Sequence, residues 1–597
     1  MLCVSFFIPD YTVASGASPD HSASWRIVEC TTDWDLNPCL PAGRLPRRKI
    51  FICNDIVHYL TTSEKSCSCY TLNMEVSPVV QALFTSFEDE TQQTHETAHI
   101  SVSKTVSILA RIYEKARNAV EFRAEHLVRR AAIERILKRR IMLNGGSESI
   151  AENLVLELLW AKYIDSGLIG DVKVQEIHTI IARYLQLKSN VFGNESLHSG
   201  IPWETILGLA SSEIEDALVS AKKREALNNF FYQAIRPKII LPDADERYVN
   251  MQTYISVERI YAQSDDALVA YELMKLIEPT WFGLTSDKIG DETQLFFNNL
   301  RLVGNALKDP IGEPLNRFVR IHTPPFLLLR DFFLEFGPKA REITQNAEDF
   351  EHKLSELASR RYHEIGAKVQ RAVVRSIIYI FLTKMVFAFA LEAPVDIFIT
   401  KRVEYLALAI NAIFPPILLY LVAGFVTVPG ADNTQRLIER IKTVIFHFDT
   451  LKDEKDVFNH KPVNKRPLLT TIFSMFYLVT FLVSFGFISF ILTKLHFNIA
   501  SQIIFVFFVT LVSFFAYRIK VSAKEYEMTD HQGFLGPIID FFFLPILRVG
   551  HVLSREIAKI NIFIFFFDFI LEAPLKVIFE VVEEWIRFIR TKKDEII

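Results

Sequence analysis

Four stretches of this chain are long and apolar enough to cross a lipid bilayer, and they constrain the fold more than any other feature. They are residues 373–391, 403–428, 468–492 and 499–519. A helix needs about 20 apolar residues to span the hydrocarbon core. Inside lipid the backbone has no water to bond to, so such runs are expected to be helices. The third and fourth stretches are separated by Lys494-Leu495-His496-Phe497-Asn498, which predicts a tight hairpin. The whole chain is 50% hydrophobic yet 23% charged, with mean hydropathy +0.20. These figures agree if a charged, water-facing part is joined to an apolar one.

Residues 74–338 make up the water-facing part. Val102, Val106, Leu109, Tyr113, Ala116 and Val120 recur at steps of three and four, which predicts a helix over about 102–141. Asn144-Gly145-Gly146 ends it, as a C-terminal glycine does. Further helices are expected at about 148–164, 171–188, 203–234, 245–277 and 287–307. No sustained period-two pattern is present, so the part reads as a cytosolic helical bundle. Residues 308–338 carry Pro310, Pro314, Pro324, Pro325 and Pro338 and read as a proline-rich crossing. Residues 339–372 follow as a stalk helix with a narrow seam of Ile343, Ala347, Phe350, Leu354 and Leu357. The stalk leads into a membrane domain, 373–529.

All six cysteines lie between Cys3 and Cys69, and none follows. Residues 1–73 also lack helical periodicity. They are read as lying outside the fold, with Met74 as the native start. Net charge is −4. No global basic field exists to neutralise phosphates, so no nucleic-acid partner is expected.

Orientation follows from Lys and Arg, which favour the cytoplasmic side. Arg360, Arg361, Lys368, Arg371 and Arg375 precede the first span, and Arg518, Lys520 and Lys524 follow the fourth. The loop between spans two and three is rich in both residue types. The opposite loops hold Lys401, Arg402 and Lys494. Both termini are therefore expected in the cytoplasm of a multi-pass plasma-membrane protein. The tail, 530–597, mixes apolar runs with charge and reads as interfacial amphipathic helices. A packed span within it is the alternative. Phe389–Pro394 is echoed by Phe569–Pro574, a weak sign of duplication.

Lys384 is the most pointed candidate, because a charge inside a span is costly and usually faces protein or water. It either lines a polar path or pairs structurally, and the structural reading weighs more. Glu392 lies eight residues on, about 12 Å along a straight helix. It is therefore excluded as the partner, and Asp568 or Glu572 is expected instead. Asn411 and the pair Pro415-Pro416 complete this candidate intramembrane polar site. Two prolines remove two donors and kink a helix. In the loop, residues 434–451 place Leu437, Ile441, Val444, Phe448 and Leu451 on one face. Arg436, Arg440 and Lys442 are candidate contacts to anionic lipid; a helix covering the bundle is the equal alternative.

No phosphate-binding loop, zinc-protease helix or nucleophile elbow occurs. No catalytic residue, metal ligand or cofactor is assigned. The sequence thus reads as an all-α, polytopic membrane protein with a large N-terminal cytosolic helical domain. Its expected role is a non-enzymatic scaffold, with membrane lipid and a protein partner of the cytosolic domain. A transporter or channel component is the alternative, and a membrane-surface lipid enzyme a third.

Overall fold

The computed structural model describes residues 77–88, 125–144, 150–164, 170–192, 201–242, 244–387, 405–424, 428–454, 456–459, 467–528 and 535–559, with scattered positions in 107–114, 390–394 and 578–593. Residues 1–73, with every cysteine, lie outside this set, as does the second copy of the internal echo.

The described chain is all-α. Helices α1 (Pro78–Glu88), α2 (Glu125–Asn144), α3 (Ile150–Trp160), α4 (Asp171–Phe192), α5 (Trp203–Leu218), α6 (Lys222–Ile235), α7 (Glu246–Ile260), α8 (Asp266–Ile277) and α9 (Ile289–Leu307) come first. Local chemistry sets some of their ends. Asp265 caps α8 by accepting from the Leu268 amide at 3.1 Å. A first core gathers Ile133, Leu154, Leu158, Ile177, Ile214, Met274, Trp281 and Phe296 from α2–α5, α8, α9 and the turn before α9.

The proline-rich crossing expected at 308–338 is instead a helix, α10 (Gly312–Phe336), with Pro324 and Pro325 inside it. The two prolines remove the amides that would bond to the carbonyls of Arg320 and Ile321. Both of those residues are exposed, so water can take the freed acceptors. The inner face runs from Thr323 to Leu329 and is buried, which outweighs the lost bonds. After α11 (Ala340–Gln345) comes α12 (Ala347–Phe387), one helix of 41 residues. At 1.5 Å per residue it is about 60 Å long. Its seam residues Phe350, Leu354 and Leu357 are buried, so its first half is built into a second core rather than standing free.

Helices α13 (Tyr405–Gly424), α14 (Ala431–Phe446), α15 (Pro467–Lys494), α16 (Ile499–Ala523) and α17 (Leu535–Lys559) complete the described set. Among the described residues, Thr471–Lys494 and Ile499–Ala523 are long and apolar enough to cross a membrane. They match the third and fourth expected spans. The first expected span is the end of α12, and the apolar run of the second, Leu408–Val422, is shorter than those two. The turn between α15 and α16 is as tight as its sequence implied. His496 takes φ 63°, and Asn498 caps α16 by accepting from the Ser501 amide at 2.7 Å. Helix α17 packs lengthwise on α16 and also touches α15. Gly550 makes this contact close: a Cβ there would sit 2.1 Å from the Thr510 carbonyl oxygen. The front of the expected interfacial tail is therefore packed against the apolar helices.

Candidate functional site

Sequence reasoning had placed Lys384 and Asn411 in one polar site, and the structure brings them together through Glu392. The Lys384 Nζ lies 3.2 Å from Glu392 Oε1, and both side chains are fully buried. Asn411 Nδ2 donates to the same carboxylate and, at 3.4 Å, to the Ser501 carbonyl. The ammonium also lies 4.8 Å from the centre of the Phe508 ring, within reach of a cation–π contact. Four parts of the chain thus converge: α12, Glu392 beyond it, α13 and the start of α16.

The exclusion of Glu392 fails because its premise fails. Ala390 and Glu392 are in π-helical conformation, so the chain beyond Phe387 is not a straight α-helix. A π turn holds more residues per turn and often marks a functional or packing irregularity. Pro394, two residues on, was the available hint of a break. The expected partners Asp568 and Glu572 lie outside the described residues. Pro415 is buried and Pro416 half-buried, both inside the continuous α13. Their missing amides deprive the Asn411 and Ala412 carbonyls of their usual i+4 donors. Asn411 Oδ1 itself has no hydrogen-bond partner among the described residues.

Chemically this cluster is a neutralised charge pair in an apolar shell. Ile380, Leu419, Phe508 and Val512 pack beside it. It has the properties of a structural tie, with no side chain exposed to a substrate.

A second polar assembly joins the apolar helices to the second core. The apolar face of α14 (Leu437, Ile441, Val444 and Ile445) is buried in the second core, together with Phe448 and Leu451. The side that a lipid contact would have used is thus occupied by protein. Arg440 pairs with Glu454, and Lys442 pairs with Glu351. Lys238 also bonds Glu454. With two cations upon it, the Glu454 carboxyl is held down to about 2 despite partial burial. His322 lies nearby; burial, then the Lys238 charge, pushes it down to about 4, so it is neutral at pH 7. The strand pair β1 (Ile239–Ile240) and β2 (Phe458–Asn459) fastens the end of this loop to the segment between α6 and α7.

The segment after α16 is tied in the same way. The Tyr526 hydroxyl donates to Asp331 Oδ2 at 2.6 Å, and Arg361 Nε donates to the same oxygen at 2.8 Å. Burial and the Asp331 charge both push the Tyr526 phenol up. Asn433 donates to Tyr362 Oη and to the Tyr526 carbonyl, each at 2.8 Å, and accepts from the Met528 amide. No local pattern in the sequence announces these contacts, because their partners lie far apart in the chain.

Helix α2 is dense in arginine, and most of these side chains are paired. Arg129 bonds Glu215, Arg130 bonds Glu134, and Arg139 and Arg140 share Glu157. Its arginines are largely spent inside the bundle. Among the described residues, no group of three His, Cys, Asp or Glu is placed to hold a metal ion. Comparison of the chain with family models, with curated proteins and with solved structures finds no match.

Proposed function

We propose that this is a multi-span integral membrane protein that works as a non-enzymatic scaffold, holding a cytosolic helical domain, and whatever protein that domain binds, in fixed register with the membrane. The observation that carries the reading is the double clasp. Both segments leaving the apolar helices on the soluble side, 431–459 and 524–528, are built into the soluble part. A free-swinging tether would not need this. Helix α15 supports the membrane part of the reading: Leu468, Phe473, Met475, Phe476, Leu482 and Phe487 are all exposed. Water would not tolerate so continuous an apolar surface, whereas lipid tails cover it. The distribution of Lys and Arg supports a cytoplasmic side for the helical domain and both termini, and on this reading the membrane is the plasma membrane. A transport reading rests on Lys384, Glu392 and Asn411 becoming reachable from water.

The test uses the full chain with its six cysteines changed to serine. His496→Cys at the α15–α16 turn and Asp449→Cys in the loop are added one at a time; both positions are exposed. A membrane-impermeant maleimide on intact cells is expected to label the first, and the second after permeabilisation alone. Labelling of both from the same side would sink the topology. Lys384→Cys is expected to stay unlabelled throughout; strong labelling would transfer the argument to transport.

A further inference from the structure

The cations of this molecule are not alike. Lys368, Arg371 and Arg375 lie on α12 where its exposed apolar stretch begins, and Arg518 and Lys520 lie near the end of α16. All five are exposed, and among the described residues none makes an ion pair. Their neighbours differ: Arg361 pairs with Asp331 and Glu364, and Lys524 with Glu527. The helices bring Arg375 close to the level of Arg518 and Lys520, since Ile377 and Ile380 of α12 pack with Ala516 and Ile519 of α16 in one apolar cluster, and Arg371 and Lys368 follow one and two turns further out on α12. From Ile365 to Phe387, and from Ile499 to Ala523, there is no Asp or Glu. Tyr379 and Tyr517, both exposed, stand at the same margin, where aromatic rings with a polar tip favour a headgroup region.

We propose that Lys368, Arg371, Arg375, Arg518 and Lys520 form a collar that binds the phosphates of anionic phospholipid headgroups. The inference rests on the membrane reading. It places lipid recognition on the bundle's margin, away from Arg440 and Lys442, whose charges are met by protein carboxylates. Unpaired cations beside an apolar surface attract anionic headgroups, each giving up to about a fivefold preference near the surface. Long basic side chains can also lay their stems on the apolar helix while the charge reaches outward.

The experiment reconstitutes the full chain in phosphatidylcholine vesicles holding a small fraction of spin-labelled phosphatidylserine or spin-labelled phosphatidylcholine. The fraction of label immobilised by the protein is read from the spectrum. Phosphatidylserine is expected to be favoured by about tenfold. The variant R371Q/R375Q/R518Q/K520Q is expected to lose most of that preference, and R371K/R375K/R518K to keep it. R317Q/R320Q, exposed cations of the soluble part, serves as the control and keeps it. Equal immobilisation of the two lipids by the native chain overturns the inference, as does a preference that survives the glutamine variant. Tight binding of inorganic phosphate to the detergent-solubilised protein, with loss of lipid preference in phosphate buffer, would reassign the collar to a free anion. Immobilisation of neither lipid would remove the membrane reading, and this inference with it.

Discussion

Breaking the Lys384–Glu392 pair should cost far more than removing it. Lys384→Met leaves the Glu392 carboxylate buried without this cation, while the Asn411 amide still donates to it. Glu392→Gln leaves the ammonium buried against a neutral amide. An uncompensated buried charge costs about 3–5 kcal/mol, so each single variant is expected to lose about that much. The double variant K384M/E392Q buries no charge. Its glutamine can still accept from Asn411, and its methionine can fill the lysine's volume beside Phe508. It is expected to lose no more than the milder single variant, giving a coupling energy of at least about 2 kcal/mol. The assay is equilibrium unfolding of the full chain in mixed micelles, followed by tryptophan fluorescence. Additive losses in the double variant would refute the pairing. So would a single variant as stable as the parent, which would mean that water reaches the site and solvates the remaining charge.

Three further outcomes follow from the soluble part and its junction. Glu272 is pushed up from 4.5 to about 8 by burial and then by the Glu258 charge. Its folded value is raised, so the stability it contributes is complete below about pH 4.5 and is lost as pH rises through about 8. Thermal unfolding of E272Q across that range should show a flatter pH dependence than the parent, and an unchanged slope would remove Glu272 from the account. Asp331→Asn withdraws the charge from Arg361 and Tyr526 and should cost about 3 kcal/mol, with faster amide exchange in 431–446 and 524–528; unaltered exchange there would mean the clasp holds without it. Gly550→Ala drives a methyl into the Thr510 carbonyl and should destabilise by about 1–3 kcal/mol, measured as easier proteolysis of α17; a neutral result would mean that α17 can move off α16 without cost.

The elements whose signals are local were legible in the sequence. The tight turn between α15 and α16 and the cap at Asn498 depend on residues close together in the chain. Helix α10 was not legible, because Pro324 and Pro325 weigh heavily in a window while the burial of Thr323–Leu329 depends on partners elsewhere. The polar site was half legible. Lys384 and Asn411 stand out by type alone in apolar runs, but their link needed a π turn that spacing on an ideal helix excludes. The Ser501 carbonyl carries no side-chain signal at all. Likewise the amphipathic pattern of α14 was correctly periodic, yet periodicity cannot say whether lipid or protein covers the apolar face.

That ambiguity bears on how charge is used throughout the chain. A basic stretch in a sequence invites an external partner, but the net charge of −4 already implies enough carboxylates to answer most cations internally. The fold does so twice, with Glu157, Glu134 and Glu215 answering the arginines of α2 and with Glu454 and Glu351 answering Arg440 and Lys442 of α14. Pairs of this kind fix the relative position of helices and leave little field outside. What distinguishes the cations at the margin of α12 and α16 is that no carboxylate stands in their stretches of helix, Ile365 to Phe387 and Ile499 to Ala523. A charge left unanswered among so many answered ones is therefore better evidence for an outside ligand than a longer basic run would be. The arginines of α2, dense as they are, give no such evidence, because most of them are neutralised where they sit.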